Sequence, residues 1–124
     1  GTCVRDYIHV TDLARAHRAA LDFLRKDGAS TTLNCGYGRG YSVLEVVDAV
    51  RAASGRDLPV RITPRRPGDP MSIVAEARRI RELLGWTPEW DDLGSIVRHA
   101  LAWERRLLQE AEQARVQVPI APNR

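Results

Sequence analysis

The feature that most restricts this chain is a change in the spacing of its apolar residues, from strand-like runs to helical spacing and back. Val4 to Val10 carries Tyr7, Ile8 and Val10, the β-branched and aromatic types that suit a strand. Leu13, Ala16, Ala20 and Leu24 then recur on one face of a helix, which Asp27-Gly28 stops. Thr11 or Asp12 is placed to cap that helix, because a side-chain oxygen there can accept from the unpaired amides of the first turn. Thr31 to Cys35 reads as a second short strand, so the front of the chain alternates strand, helix, strand. That alternation predicts an α/β fold.

The rest continues the pattern less regularly. Ser42-Val43-Leu44-Glu45 is a capping box, in which hydroxyl and carboxylate satisfy each other's amides. The helix it opens carries Val43, Val46, Val47 and Val50 and ends at Gly55. Pro59 to Thr63 predicts a third strand, broken by Pro64, and Ser72 to Ala75 a short fourth. Ala77 to Leu84 predicts a helix closed by Gly85, with a proline-containing connection over Trp86 to Trp90. Asp91 or Asp92 opens the last helix, whose core face shows Leu93, Ile96, Val97, Ala100, Leu101 and Leu108. From Gln109 the apolar pattern fades, and residues 109–124 are expected to be a disordered tail.

Composition decides between function classes. The 124 residues are 44% hydrophobic and 28% charged, which suits one small globular core or a piece of a larger one. No apolar run reaches membrane-spanning length, and no signal-peptide pattern is present. Gly1 leads at once into strand-like sequence, so the chain is expected to begin inside a longer protein. Cys3 and Cys35 show no zinc-type spacing and are too few for a disulfide scaffold, so reduced thiols in the cytoplasm are expected. A net charge of +3 raises the possibility of a nucleic-acid partner. Arginines such as those in Arg78-Arg79-Ile80-Arg81-Glu82 alternate with acids on a solvated face, however, and no basic patch is interleaved with aromatics. Neither nucleic acid nor membrane is expected as a partner.

Gly36-Tyr37-Gly38-Arg39-Gly40 follows a strand and precedes a helix, where a dinucleotide cradle would lie. The cradle needs G-x-G-x-x-G and an acid at the end of the next strand, whereas here the spacing is G-x-G-x-G and Asp57 lies in a turn. The loop is read as a flexible strand-to-helix turn. His17 and His99 are read as surface or packing residues. For His9, beside the start of the first helix, packing and function both stay open.

Several blocks together are more specific than any one of them. Gly1-Thr2-Cys3-Val4-Arg5-Asp6-Tyr7-Ile8-His9-Val10-Thr11-Asp12-Leu13-Ala14 resembles the G-T-x-V-R-D-Y-I-H-V-x-D-L-A segment of UDP-glucose 4-epimerases, in the extended short-chain dehydrogenase/reductase superfamily. Asn34 to Val43 is similar to that family's N-x-G-x-G-x-G-x-S-V turn, and Pro64-Arg65-Arg66-Pro67-Gly68-Asp69-Pro70 to its P-R-R-x-G-D segment. Leu84-Gly85-Trp86 and Ala102-Trp103-Glu104 also fit, so the resemblance covers about residues 1–108 in order.

The resemblance implies a two-domain enzyme, in which a Rossmann domain binds NAD and a smaller C-terminal domain closes over a UDP-sugar. NAD would take hydride from sugar C4, the 4-keto sugar would turn over, and hydride would return to its other face. The family's G-x-x-G-x-x-G loop, catalytic Ser/Thr and Tyr-x-x-x-Lys pair lie upstream of the RDYIHV segment. None occurs here, since Thr11 and Tyr41 stand four places after Tyr7 and Tyr37. The chain is therefore expected to be the C-terminal part of such an enzyme, inactive alone, with no catalytic, cofactor-binding or metal-binding residue of its own. Residues 1–40 are assigned to the end of the NAD-binding domain, with its last strand–helix–strand over about 4–36. Residues 41–108 are assigned to the small UDP-sugar-binding α/β domain.

Carried over motif by motif, Arg5 and Arg66 are expected at the UDP phosphates, Asp69 at the ribose hydroxyls and Tyr7 at the substrate. A diphosphate suits arginine forks, and a vicinal diol suits a carboxylate acceptor. By composition alone Arg65-Arg66 is a solvated pair, and the Gly68-Asp69 context reverses that reading. Ile73, four places after Asp69, stands where the family sets the room around the sugar. A small residue there goes with N-acetylhexosamines and a bulky tyrosine against them, so Ile73 implies glucose/galactose with weak N-acetyl activity. The full-length enzyme is expected to be a cytoplasmic homodimer. The alternatives are a UDP-arabinose or UDP-glucuronate 4-epimerase, or a non-catalytic UDP-sugar-binding module.

Overall fold

A computed structural model describes residues 2–64 and 66–116. Its elements are β1 (Val4–Arg5), α1 (Val10–Arg25), β2 (Tyr41–Ser42), α2 (Val43–Ser54), β3 (Ser72–Ile73), α3 (Arg78–Leu84) and α4 (Leu93–Val116). The strands form one small mixed sheet with β1 in the middle. On one side β2 runs antiparallel, with Val4 opposite Ser42 and Arg5 opposite Tyr41. On the other β3 runs parallel, with Val4 opposite Ser72 and Arg5 opposite Ile73. The fold is α/β, as the alternation predicts, and the sheet joins residues on both sides of position 40.

Several elements differ from the expectation. The strand expected over Val4 to Val10 ends at Arg5, because His9 already caps α1 in an extended conformation (φ −69°, ψ 135°). Its Nδ1 accepts the Thr11 amide at 3.1 Å, so Thr11 and Asp12 lie inside the helix rather than at its cap. Thr31–Cys35 and Pro59–Thr63 form no ladder among the described residues. A strand exists only through the hydrogen bonds of a partner, which apolar pattern alone does not supply. β2 is the reverse case, two residues that pair with β1 although they read as a helix start.

The helices with local signals fall where expected. Ser42 Oγ accepts the Glu45 amide at 3.2 Å while Glu45 accepts the Ser42 amide at 2.7 Å, and α2 ends at Gly55. Asp92 opens α4 by accepting the Ser95 amide at 2.7 Å. α4 does not stop near residue 108, which corrects the expected tail over its first part: Gln109 to Val116 is helix. That stretch is rich in Gln, Glu, Ala and Arg, good helix formers, and Arg106 pairs with Glu110 one turn on at 2.7 Å. It needs no apolar face, and Leu108, expected in the core, is exposed. Residues 117–124 of the expected tail lie outside the described residues.

The core gathers Ala16, Tyr37, Ala77, Ile80 and Trp86, with Ile8, Leu33, Cys35, Leu84 and Ile96 packed around it. A second apolar contact joins α2 to α4, where Val46 and Val50 meet Leu93, Ile96, Val97, Ala100 and Leu101. Among the described residues no helix is long and apolar enough to cross a membrane.

Candidate functional site

The site begins with a turn. Arg66-Pro67-Gly68-Asp69 is closed by the Asp69 amide donating to the Arg66 carbonyl at 3.3 Å. Proline fixes φ at the second position, and Gly68 supplies the φ of +79° that the third requires, a combination typical of a type II turn. The turn puts Arg66 and Asp69 on one side, with Nη2 4.0 Å from Oδ2. The chain then enters β3, and the parallel pairing with β1 places Asp69 beside Arg5. Arg5 Nη2 donates to Asp69 Oδ1 at 2.7 Å, while its Nη1 donates to the carbonyls of Val4 at 2.7 Å and Pro70 at 3.1 Å. Cys3, one residue before β1, donates its thiol hydrogen to Asp69 Oδ2 at 3.2 Å.

Cys3, Arg66 and Asp69 line a cleft of about 570 Å³ together with Thr2, Val43, Leu44, Ile62 and Thr63. The Arg66 side chain is 88% exposed and that of Asp69 only 24%. A solvent-exposed cation thus stands beside a largely shielded carboxylate. The α2 N-terminus also borders the cleft, but its amides are already used: Ser42 on Glu45, Val43 on the Cys3 carbonyl, Leu44 on Thr2 Oγ1 and Glu45 on Ser42. Arg66, not the helix end, is therefore the group at this cleft suited to an anion.

Arg5, Arg66 and Asp69 are thus brought together. Ile73 lies next to Arg5 in the β1–β3 ladder, and the two border a separate recess of about 470 Å³ with Asp6, Asn34 and Ala75. Tyr7 is not brought to the cluster, and lines the apolar contact between α2 and α4. Arg65 lies outside the described residues.

The glycine loop is not the flexible turn expected. Asp6 accepts the amides of Tyr37 at 3.1 Å, Gly38 at 3.0 Å and Ala75 at 3.2 Å, which clamps the loop onto the segment after β3. A Cβ on Gly36 would lie 2.6 Å from both Asp6 Oδ2 and the Ala75 Cβ, so glycine there serves close packing. The Tyr37 and Gly38 amides of the loop are thereby occupied within the fold.

The sequence also concealed a buried node. Asp12 has no exposed surface, and it accepts from Tyr37 Oη at 2.7 Å, the Trp90 amide at 2.9 Å and the Glu89 amide at 3.1 Å. Its main-chain carbonyl takes Trp86 Nε1 at 3.0 Å. Burial opposes ionisation of Asp12, but the Tyr37 hydroxyl, the Trp90 and Glu89 amides and the Arg15 charge outweigh it and hold its carboxyl below the ordinary value. The Tyr37 hydroxyl is pushed up, by burial and by its bond to Asp12. Tyr37 also accepts the His9 amide at 3.0 Å. His9 itself is buried, stacks on Trp90 at 5.3 Å and meets His99 Nδ1 at 2.9 Å through its Nε2, so the contact supports packing for both histidines. A carboxylate on the apolar stripe of α1, four residues before Ala16, was the one signal that could have revealed the node.

With this geometry in hand, the comparisons with known proteins are specific. No family model matches the chain. The chain is homologous to nucleotide-sugar epimerases. The particular relatives are UDP-glucose 4-epimerases: that of Azospirillum brasilense is 58% identical over 114 residues, 92% of this chain and 33% of the relative. That of Halalkalibacterium halodurans is 47% identical over 105 residues, 85% of this chain and 31% of the relative. A UDP-glucose-4-epimerase structure from Stenotrophomonas maltophila, with bound NAD and formylated UDP-arabinopyranose, superposes with TM-score 0.81 at 44% identity, over 88% of this chain and 32% of that one. The UDP-Glc/GlcNAc 4-epimerase from Campylobacter jejuni superposes with TM-score 0.77 at 48% identity, over 85% of this chain and 32% of that one. The chain thus spans about a third of the length of the curated relatives it matches, and it corresponds to the C-terminal part of the epimerase structures.

Proposed function

We propose that this chain is the UDP-sugar-binding part of an NAD-dependent UDP-glucose/UDP-galactose 4-epimerase, acting within a cytoplasmic homodimer. The observation that carries this is the Pro67-Gly68 turn, which sets Arg66 beside Asp69 at one cleft while Arg5 holds Asp69 from the neighbouring strand, in a chain 58% identical over 114 residues to a UDP-glucose 4-epimerase. Arg66 and Arg5 hold the diphosphate, Asp69 accepts from the ribose diol, and Ile73 limits the space at the sugar. Arg5 contacts Asp69 at 2.7 Å, so each charge is partly compensated until the nucleotide enters between the arginines and takes over part of that role.

NAD, when bound, supplies the hydride acceptor and donor at sugar C4. The residues described here do not fit that cofactor, since the glycine loop is clamped shut, so NAD is held by another part of the enzyme. The apolar face of α1 is consistent with such a part: Leu13, Ala20, Phe23, Leu24 and Leu33 border an open cleft of about 340 Å³, and Leu24 is half exposed. The Stenotrophomonas structure, with formylated UDP-arabinopyranose bound, supports a UDP-arabinose 4-epimerase as the second reading.

The test is calorimetric UDP affinity in the full-length enzyme. A charge-assisted hydrogen bond contributes about 1.5–3 kcal/mol, so Arg66→Ala is expected to weaken UDP by roughly ten- to a hundredfold. Lysine should restore only part, because a point charge does not reproduce the fork. Arg65→Ala is expected to cost much less. Equal losses at both arginines, or none at either, would overturn the placement of the phosphates. The 124-residue chain alone is expected to show no turnover of UDP-galactose with NAD, and turnover above a mock preparation would refute that.

A further inference from the structure

Ile73 is the last residue of β3, so the ladder with β1 holds it from one side only. Two residues on, the Ala75 amide lies beyond the ladder and donates to Asp6 Oδ2 at 3.2 Å. The same oxygen accepts the Gly38 amide at 3.0 Å, which takes both of its lone pairs, and Oδ1 accepts the Tyr37 amide at 3.1 Å. Asp6 therefore continues the sheet with a side chain where main-chain pairing ends. The glycine loop backs the segment that Asp6 holds. A Cβ on Gly36 would lie 2.6 Å from the Ala75 Cβ, and one on Gly40 would lie 2.8 Å from Val74 Cγ2. Asp6, Ile73, Val74 and Ala75 all border the recess of about 470 Å³ that Arg5 also lines. The Ile73 side chain is half exposed, so these backbone anchors set its place more than packing does.

We propose that Asp6 is a positioning residue for sugar selectivity: its carboxylate locks the segment after β3 onto the glycine loop and so fixes how far Ile73 reaches over the sugar. This rests on the reading of Ile73 as the residue that limits the room there. Loss of the carboxylate leaves the Ala75 amide without its acceptor and Ile73 held only by the ladder with β1. The segment can then move off the loop, the recess widens, and a sugar with an N-acetyl arm fits better. Arg66 and Asp69 line the other cleft, so UDP itself is held as before. Asparagine is a selective probe of this arrangement. Its one oxygen can take the place of Oδ2 and keep Gly38 and Ala75, while its NH2 then faces the Tyr37 amide, donor against donor. That exchange lowers stability but keeps the hold on Ala75.

The experiment measures, in the full-length enzyme, kcat/KM for UDP-N-acetylgalactosamine relative to UDP-galactose. Asp6→Ala is expected to raise that ratio by about three- to tenfold, with UDP affinity within about twofold of the parent. Asp6→Asn is expected to lower the melting temperature yet leave the ratio within about twofold, because Ala75 keeps its acceptor. Gly36→Ala approaches the same joint from the other side, since its Cβ must displace Asp6 Oδ2 or Ala75, and it should raise the ratio as well. Adding Asp6→Ala to Ile73→Ser should change the ratio little beyond Ile73→Ser alone. A purely structural role would lower kcat/KM for both substrates alike, or move the ratio in Asp6→Asn as far as in Asp6→Ala, and either result overturns the proposal. So does an unchanged ratio in Asp6→Ala and Gly36→Ala while Ile73→Ser shifts it. If Ile73→Ser itself leaves the ratio unchanged, Ile73 does not meet the sugar, and the underlying reading falls together with this one.

Discussion

Two aspartates in this chain have the same chemistry and opposite situations. Asp12 is wholly buried, with its oxygens taken by a phenol and main-chain amides from the segment after α3. Asp69 stands at the edge of a cleft, with two arginines and a thiol around it. Tyr37, Glu89 and Trp90 hold Asp12 from within the fold and Arg15 from its rim, whereas Arg66 beside Asp69 is a long cation almost wholly in solvent. The difference shows how to separate a structural carboxylate from a binding one. The structural group has its donors supplied by elements far apart in sequence and shields them from water. The binding group is oriented by a few neighbours beside space that a ligand can fill.

The comparison breaks most readily at Asp12. Asp12→Ala would leave the Tyr37 hydroxyl and the Glu89 and Trp90 amides without their acceptor inside the fold. The expected loss is about 3–5 kcal/mol, read by denaturant unfolding of the full-length enzyme. UDP affinity of the fraction still folded should stay within about twofold. Asp69→Ala should do the reverse, weakening UDP with a small change in stability. A variant of either residue that moves both readouts equally would erase the distinction.

How much of this was legible from sequence follows the same division between local and distant causes. The α2 cap is written in four consecutive residues, Ser42 to Glu45, and the helix begins where they say. The Pro-Arg-Arg-Pro-Gly-Asp segment was legible through the resemblance, which marked its residues, and not as a turn. Strands were less legible, because Thr31–Cys35 and Pro59–Thr63 have the right side chains but their state depends on a partner elsewhere. Asp12 illustrates the limit. It read as a helix cap, yet apart from Arg15 one turn on, its donors come from residues 37, 89 and 90, which no local pattern connects to it. Histidine is an uncommon cap, so the sequence pointed past His9 to Thr11. The end of α4 was missed for the opposite reason, since propensity and an ion pair sustain it with no apolar stripe to read.

A smaller effect sharpens the picture of the Asp12 node. Tyr37→Phe removes the donor to Asp12 and the acceptor of the His9 amide, and is expected to cost about 1–3 kcal/mol. It should also change the response to acid. The folded Asp12 carboxyl lies below its ordinary value of 3.8, so its contribution is fully present above that pH and is lost as pH falls through the lower folded value. Removing the Tyr37 hydroxyl takes away one of the groups that depress it. The acid-unfolding midpoint of Tyr37→Phe is therefore expected at higher pH than that of the parent, followed by circular dichroism. A midpoint that stays put or moves to lower pH would mean the hydroxyl does not stabilise the ionised carboxylate.

The smallest effect expected lies at Ile73, on the cleft side of the comparison. Ile73 is half exposed in β3, opposite Arg5, so its side chain can change without disturbing the core. If it limits the room at the sugar, its size should act on the choice of sugar and leave the nucleotide contacts alone. A change of one or a few methylenes in a pocket discriminates by about 1–3 kcal/mol, and a half-exposed position belongs at the lower end of that range. The intact enzyme is therefore expected to favour UDP-glucose and UDP-galactose over their N-acetyl counterparts. Ile73→Ser should raise kcat/KM for the N-acetyl substrates by about tenfold, and Ile73→Tyr should lower it by a similar factor. UDP affinity should stay the same in both variants, because Arg5, Arg66 and Asp69 are untouched. Equal kcat/KM for the two substrate classes in the parent would remove Ile73 from the sugar site. A loss of UDP affinity in Ile73→Ser would instead mean that Ile73 acts by supporting Arg5 across the β1–β3 ladder.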